Sequence, residues 1–201
     1  MIKKESEYLS TSDDSRQTSS KELLIISVIS GFTYLLLAFI IYHYIQNENL
    51  IKAFEHGYST LSQLAIGIAA GSGAAAVIAF IINRSPVSDV LHDFYIVDMI
   101  SKLKLSNFDR IQLSAFAGVG EELLFRGAIQ PLLGILITSF IFIAIHGYFK
   151  FKSAGHMLFG LMMLGLSMLL GYLFEYGGLI AAMSAHTVYD VIMLRIVQVK
   201  K

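Results

Sequence analysis

The sequence contains no cysteine and few charged residues. Only 15% of its 201 residues are Asp, Glu, Lys or Arg, whereas an ordinary soluble domain carries about 25%. The absence of cysteine excludes thiol nucleophiles, disulfides and thiolate metal sites. Positive and negative side chains balance at 15 each, so no excess of basic charge favours a nucleic acid partner. The hydrophobic fraction of 55% and the mean hydropathy of +0.65 indicate a protein of the lipid bilayer.

Long apolar runs predict how the chain crosses that bilayer. A spanning helix needs about 20 largely apolar residues. The sequence has six such runs, at residues 23–45, 61–82, 110–130, 132–149, 154–175 and 178–197. Pro131 is expected to end the third of them, because proline cannot continue a helical ladder. The predicted fold is therefore an all-α integral membrane protein with about six transmembrane helices.

The chain divides into four parts by composition. They are a tail at 1–22 that is predicted to be disordered, two N-terminal spans at 23–85, an amphipathic segment at 86–109 and a membrane core at 110–201. In the amphipathic segment, Val90, Phe94 and Val97 recur at helical spacing among charged residues. That pattern predicts a helix that lies either in the membrane interface or against the bundle.

Small residues mark one face of the second span. Gly67, Gly71 and Ala75 follow one another at intervals of four. Side chains four apart share a helix face, and small residues on such a face let two helix backbones approach closely. The sequence therefore predicts that this span packs tightly against another helix.

Nearly all basic residues fall on one predicted side of the membrane. If the N-terminus is cytoplasmic, every Lys and Arg lies in cytoplasmic segments except Lys52, in an external loop, and Arg126, within a span. The positive-inside rule then favours a multi-pass protein of the cell membrane with both termini in the cytoplasm. No sequence repeat indicates the paired halves of a secondary transporter.

The stretch GVGEELLFRG, residues 118–127, places three ionisable side chains inside a span. A charge at the centre of a spanning helix costs about 2.5 to 3.5 kcal/mol, so such residues usually have a function. Glu122 and Arg126 are four residues apart and can form an ion pair on one helix face. Glu121 lies about 100° around the helix, where its carboxylate is free to face a cavity.

Two histidines in later spans each have a companion four residues away. The pairs are Phe142 with His146 in FIAIH, and His186 with Asp190 in HTVYD. Their distances from the basic anchors place both histidines, like Glu121, in the cytoplasmic half of the bilayer. Carboxylates and imidazoles without an obvious Ser or Cys nucleophile favour activation of a water molecule. Hydrolysis is therefore the predicted reaction class.

The patterns EExxxR, FxxxH and HxxxD, in this order on successive hydrophobic segments, resemble the CPBP family of intramembrane proteases. This family is also called the CAAX protease and bacteriocin-processing, or Abi, family. The resemblance covers about residues 110–197 and implies a catalytic core of four helices. It implies an endopeptidase that cleaves a membrane protein, a prenylated protein or a peptide at or within the bilayer.

The resemblance also implies a role for each motif residue. Glu121 would be the general base that activates water, and His146 would help to hold that water. His186 and Asp190 would stabilise the oxyanion. Phe142 completes the FxxxH pattern as a supporting residue.

Further roles implied by the resemblance concern support and metal binding. Glu122 and Arg126 would orient Glu121. The family has been described both as metalloproteases and as metal-independent glutamate proteases. A glutamate with two histidines also forms a familiar catalytic zinc set, so Glu121, His146 and His186 are candidate ligands for Zn²⁺. The alternative is a site without a cofactor.

Asp190 departs from the family pattern, which often has Asn at this position. An ionised aspartate cannot donate a hydrogen bond to an oxyanion. It must therefore be protonated, bind a metal, or orient His186 by accepting from its ring N–H. Because the two residues are four apart on one helix, the orienting role is the expected one.

Two other functions would use the same polar residues. One is a non-proteolytic membrane protein with a scaffold, bacteriocin-immunity or signalling role, in which these side chains only form a buried network. The other is a proton-coupled transporter in which Glu121 relays the proton. Tyr148 is expected to be an interface anchor, and no oligomeric state is predicted.

Overall fold

A computed structural model describes residues 20–103 and 105–199, and all regular elements in these ranges are helical. The main helices are α1 (Ser20–Ile40), α2 (Thr60–Arg84), α3 (Tyr95–Lys102), α4 (Asn107–Glu122), α5 (Gln130–Ile145), α6 (Ala154–Gly177) and α7 (Leu179–Val199). Two π-helical segments, Ile41–Ile45 and Leu123–Ile129, and two short 3₁₀ turns, Leu50–Phe54 and Leu91–Asp93, complete the order. The all-α fold is therefore confirmed. The predicted tail lies outside the described residues except for its last three residues, which form the start of α1.

Five helical units are long and apolar enough to cross a membrane: Lys21–Ile45, Thr60–Arg84, Asn107–Ile145, Ala154–Gly177 and Leu179–Val197. The predicted spans 110–130 and 132–149 are joined in the third unit, which has 39 residues. The expected end at Pro131 is wrong, because Pro131 lies in the first turn of α5, where a missing N–H is tolerated. The helical path is interrupted instead at Gly134, with φ 76° and ψ 168°, a conformation that glycine adopts readily.

Helices α2 and α7 pack closely through the small residues of α2. A Cβ atom at Gly67 would lie 1.8 Å from Ser184 Oγ, and one at Gly71 would lie 2.3 Å from the Ala185 carbonyl oxygen. Ala75 is fully buried. The predicted close approach of this face is thus confirmed. The contact between α2 and α7 holds the part of α7 that includes His186 against the bundle.

The start of α7 is fixed by a side chain from α2. Gly178, with φ 113°, makes the turn out of α6. The Gln63 side-chain oxygen then accepts hydrogen bonds from the backbone N–H groups of Ile180 (3.0 Å) and Ala181 (3.3 Å). The first N–H groups of a helix have no partner within the helix, so this contact supplies one and sets where α7 begins.

Replacing Gly71 with Ala is expected to lower the melting temperature of the protein. The added methyl group meets backbone atoms of Ala185, which cannot rotate away, and overpacking of this kind typically costs about 1 to 3 kcal/mol. Gly73→Ala is the matched control on the same helix, because a Cβ atom there meets nothing within 4 Å. Thermal unfolding in detergent should separate the two variants. Equal melting temperatures would contradict the tight contact between α2 and α7.

The segment between α2 and α4 contains a shorter helix than its pattern predicted. Only Tyr95–Lys102 is α-helical, and turns and a 3₁₀ turn precede it. Val87 and Phe94 are nevertheless buried in the core. His156 Nε2 lies 2.9 Å from Asp93 Oδ2 and connects this segment to the first turn of α6. The segment thus packs against the cluster of helices that carries the polar site.

Candidate active site

Helix α4 carries two buried carboxylates to the centre of the bundle. Its first turn is stabilised by a capping box, in which Ser106 and Asp109 each bind the other's backbone N–H. Near its end, Gly118 lies against α7, since a Cβ atom there would be 2.3 Å from Thr187 Oγ1. This close contact brings the next turn of α4, with Glu121 and Glu122, next to the middle of α7. Both glutamates are buried, and Glu122 is fully so.

Glu122 and Arg126 form an ion pair that is closed to solvent. Arg126 Nε lies 3.2 Å from Glu122 Oε2, and both side chains have 0% exposure. The pair is a close charge contact rather than an aligned hydrogen bond. The guanidinium also donates to the carbonyl oxygen of Ser167 (3.0 Å) and to its hydroxyl (2.9 Å) on α6. Arg126 thus joins α4, the π-helical segment and α6 around one fixed positive charge.

The π-helical segment Leu123–Ile129 directly follows the two glutamates. Such segments loosen the regular hydrogen-bond ladder of a helix and often occur at functional sites. Here two backbone carbonyls accept side-chain donors from the end of the first span. Tyr42 Oη donates to the Gly127 carbonyl (2.8 Å), and Gln46 Nε2 donates to the Ala128 carbonyl (2.8 Å). The first span therefore stabilises the irregular backbone behind the polar cluster.

Phe142 holds His146 in a defined orientation. The carbonyl oxygen of Phe142 lies 2.7 Å from His146 Nδ1, so Nδ1 carries a proton and donates it. The two rings are 4.4 Å apart, and the Arg126 guanidinium lies 4.9 Å from the Phe142 ring centroid, a cation–π contact. His146 Nε2 is left to face Glu121, whose Oε2 is 3.7 Å away. The FxxxH pattern thus aims one imidazole nitrogen at one carboxylate oxygen.

His186 is held by Glu122 rather than mainly by Asp190. Its Nδ1 lies 2.8 Å from Glu122 Oε1, which is a hydrogen bond, whereas its Nε2 lies 3.6 Å from Asp190 Oδ2. Asp190 was expected to orient the His186 ring, but the closest contact of that ring is with Glu122. The reason is the packing of α4 on α7, which brings a carboxylate from a different helix closer than the one four residues along α7. The spacing of residues in the sequence does not predict this contact between Glu122 and His186.

The structure brings the four predicted catalytic side chains into one cluster. Glu121 is within electrostatic range of both His146 and His186, and Asp190 interacts with the same three groups. Glu121 is 8% exposed and His186 is 7% exposed, so both are shielded while still reachable. In this setting charges interact strongly because little water screens them.

Two tyrosines border this cluster without belonging to any of the motifs. Tyr34 of α1 donates from Oη to Glu121 Oε1 at 3.4 Å. The Tyr148 ring stacks on His146 at 5.5 Å, so Tyr148 lies at the site and is not simply an interface anchor. Burial raises the pKa of the Tyr148 phenol, and the charges of Asp190 and Glu121 raise it further. The Tyr148 hydroxyl therefore keeps its proton at neutral pH.

The three candidate zinc ligands do not form a ligand set. Within the described ranges, no group of three or more His, Asp or Glu side chains is placed to hold a metal ion. His186 uses Nδ1 for Glu122 and turns Nε2 toward Asp190. His146 Nε2 and Glu121 Oε2 face each other at 3.7 Å.

Taken together, fold and site define a multi-pass, all-α membrane protein with a buried glutamate–histidine cluster. Residues 106–192 match the family described as "Type II CAAX prenyl endopeptidase Rce1-like". This match confirms the resemblance to the CPBP family that the three motifs indicated. Helices α1 and α2 lie outside the matched range.

One curated relative extends the comparison. "Uncharacterized protein YpbD" of Bacillus subtilis (strain 168) is 35% identical over 83 residues, which are 41% of this chain and 42% of that protein. The chain therefore matches less than half of the length of that relative. No solved structure matches the chain.

Proposed function

We propose that this protein is an intramembrane endopeptidase that hydrolyses a peptide bond with water activated by Glu121. The observation that carries the proposal is the opposition of Glu121 Oε2 and His146 Nε2 at 3.7 Å. In its neutral form, which this proposal assigns to His146, the ring presents a lone pair on Nε2, because Nδ1 donates to the Phe142 carbonyl. A carboxylate and a lone pair that face each other are two acceptors, and one water molecule can donate a hydrogen bond to each.

The reaction then follows ordinary acid–base chemistry. The water oxygen attacks the carbonyl carbon of the peptide while its proton passes to the Glu121 carboxylate. When the tetrahedral intermediate collapses, the C–N bond breaks and the proton moves from Glu121 to the departing nitrogen. The products are a new carboxylate and a new amine. No step requires a covalent enzyme intermediate.

His186 is the proposed donor to the oxyanion of that intermediate. The ring lies between Glu122 at Nδ1 and Asp190 near Nε2, and in this proposal it acts as the doubly protonated imidazolium. Its Nε2–H lies on the side of the ring opposite the Glu122 contact, where Asp190 is 3.6 Å away, and there it would donate to the oxyanion. Charge stabilisation of this kind is often the largest contribution to catalysis. Asp190 balances the imidazolium charge in this scheme, and Glu122 and Arg126 fix the ring that donates.

The substrate class and membrane orientation belong to the same proposal. We infer that the substrate is a membrane-associated or prenylated protein or peptide, because the matching family is described as prenyl endopeptidases and the site lies within spanning helices. The lysines and arginines of the N-terminal tail and of residues 84–110 support a cytoplasmic N-terminus and a site that opens toward the cytoplasm.

Hydrolysis by the purified protein in lipid vesicles tests the proposal. A library of membrane peptides, with prenylated and unprenylated C-termini, would be incubated in H₂¹⁸O and analysed by mass spectrometry. We expect two fragments per cleaved peptide, with ¹⁸O in the new carboxylate and unchanged rates in the presence of a strong chelator. Loss of cleavage with chelator would instead show a metal-bound water. The absence of any product, where a known family protease cleaves the same library, would favour the non-proteolytic scaffold or immunity role.

A further inference from the structure

Glu121 is contacted by a residue that lies far away in the sequence and outside the family match. Tyr34 is on α1, and its Oη donates to Glu121 Oε1 at 3.4 Å. The other carboxylate oxygen, Oε2, faces His146 at 3.7 Å. The two oxygens therefore have different partners on opposite sides of the carboxylate. This division fixes the rotation of the carboxylate plane as well as its position.

Close packing of α1 on α4 makes the contact possible. A Cβ atom at Gly120 would lie 2.9 Å from Tyr34 Cδ2 and 3.5 Å from the Gly31 Cα. A Cβ atom at Gly31 would in turn lie 3.0 Å from a ring carbon of Phe116. Glycines on both helices thus allow a separation at which Tyr34 packs against Gly120, the residue next to Glu121. A larger side chain at either glycine would move the tyrosine out of reach.

We propose that Tyr34 is a positioning residue for Glu121, one that holds the carboxylate so that Oε2 faces His146 and the water between them. The proposal rests on the proposed function of Glu121 as the base. A glutamate side chain has three rotatable bonds, and catalytic groups must keep a narrow geometry relative to the atoms on which they act. The phenol supplies a neutral donor that holds the carboxylate without neutralising it. Tyr34 itself does not contact the reacting atoms in this scheme.

The contact can be tested without any substrate. The protein has 10 tyrosines, and all of them can be replaced by 3-fluorotyrosine. The ¹⁹F resonance of residue 34 is the one that disappears in Tyr34→Phe. We expect this resonance to shift in Glu121→Gln and to stay unchanged in Glu55→Gln, which alters an exposed carboxylate in a loop. An identical resonance position in wild type and Glu121→Gln would overturn the contact.

The positioning role is tested by the kinetics of Tyr34→Phe, which keeps the ring and removes only the hydroxyl. We expect kcat to fall about tenfold, the effect of losing one hydrogen bond to a charged group, while KM stays within about twofold. Tyr42→Phe is the matched control, because it removes a hydrogen bond from the same span that reaches the Gly127 carbonyl and not Glu121. That control should lower the melting temperature and leave kcat near the wild-type value.

The outcomes separate the two proposals. A wild-type kcat in Tyr34→Phe, or an equal loss of kcat in Tyr42→Phe, would overturn the positioning role while leaving the protease intact. A shifted ¹⁹F resonance without cleavage by any form would overturn the proposed function, and Tyr34 would then be only a structural donor. A shifted resonance together with a selective loss of kcat supports both.

Discussion

Replacing Glu121 with Gln is expected to reduce kcat by about 10²–10⁴-fold, the usual contribution of a general base, without unfolding the protein. Gln keeps the shape of the side chain and its position beside Tyr34 and His146. It cannot accept the proton of the attacking water, so only uncatalysed deprotonation remains. Cleavage by wild type and by Glu121→Gln would be compared in vesicles at equal protein concentration.

Two controls make this comparison decisive. Glu55→Gln, in an exposed loop, should cleave at the wild-type rate. The melting temperature of Glu121→Gln should stay close to that of wild type, because the change removes a buried charge and retains the hydrogen-bonding shape. A Glu121→Gln protein that cleaves at more than about a tenth of the wild-type rate, well above the range for a lost base, would mean that another group activates the water.

Replacing Arg126 with Ala is expected to destabilise the fold by about 3 to 5 kcal/mol, the typical cost of removing one partner of a buried ion pair. The change leaves the fully buried Glu122 without its cation and removes both hydrogen bonds to Ser167. It also removes the positive charge above the Phe142 ring. Denaturant unfolding in mixed micelles measures the loss, and reduced accumulation in the membrane should accompany it.

The control variants distinguish burial from charge alone. Lys52→Ala breaks an exposed ion pair with Glu48 and should change the free energy of unfolding by less than about 1 kcal/mol. The double variant Glu122→Gln with Arg126→Met removes both buried charges, and it should be more stable than Arg126→Ala because no unpaired charge remains. A double variant less stable than Arg126→Ala would show that the charge of Glu122 is not the source of the loss.

Helix type and membrane class followed from the sequence because they depend on local properties. Apolar runs of bilayer length predict spanning helices wherever they occur, and the four-residue spacing of Gly67, Gly71 and Ala75 predicted a tightly packed face that the structure contains. The break at Gly134 was not predicted. Proline was the expected breaker, but Pro131 lies in the first turn of α5, where its missing N–H is tolerated.

The sequence predicted which residues form the site, but it did not predict which of their side chains contact each other. Charged residues in apolar segments are rare enough to mark Glu121, Glu122 and Arg126 without a structure. The pairing of His186 with Glu122 and the approach of Tyr34 depend on which helices are neighbours. Partners 64 and 87 residues away along the chain leave no periodic signal. Such contacts emerge only from the packing of α1 and α7 on α4.

The order of synthesis gives the π-helical segment a further meaning. The carbonyl oxygens of Gly127 and Ala128 accept hydrogen bonds from Tyr42 and Gln46, which leave the ribosome some 80 residues earlier. Proteins generally acquire structure from the N-terminus during translation. The two donor side chains are therefore synthesised before the carbonyl groups that accept from them. The carbonyls of the π-helical segment can then form these hydrogen bonds as soon as the segment enters the membrane. On this view the first span assists the folding of the π-helical segment that follows it in the chain.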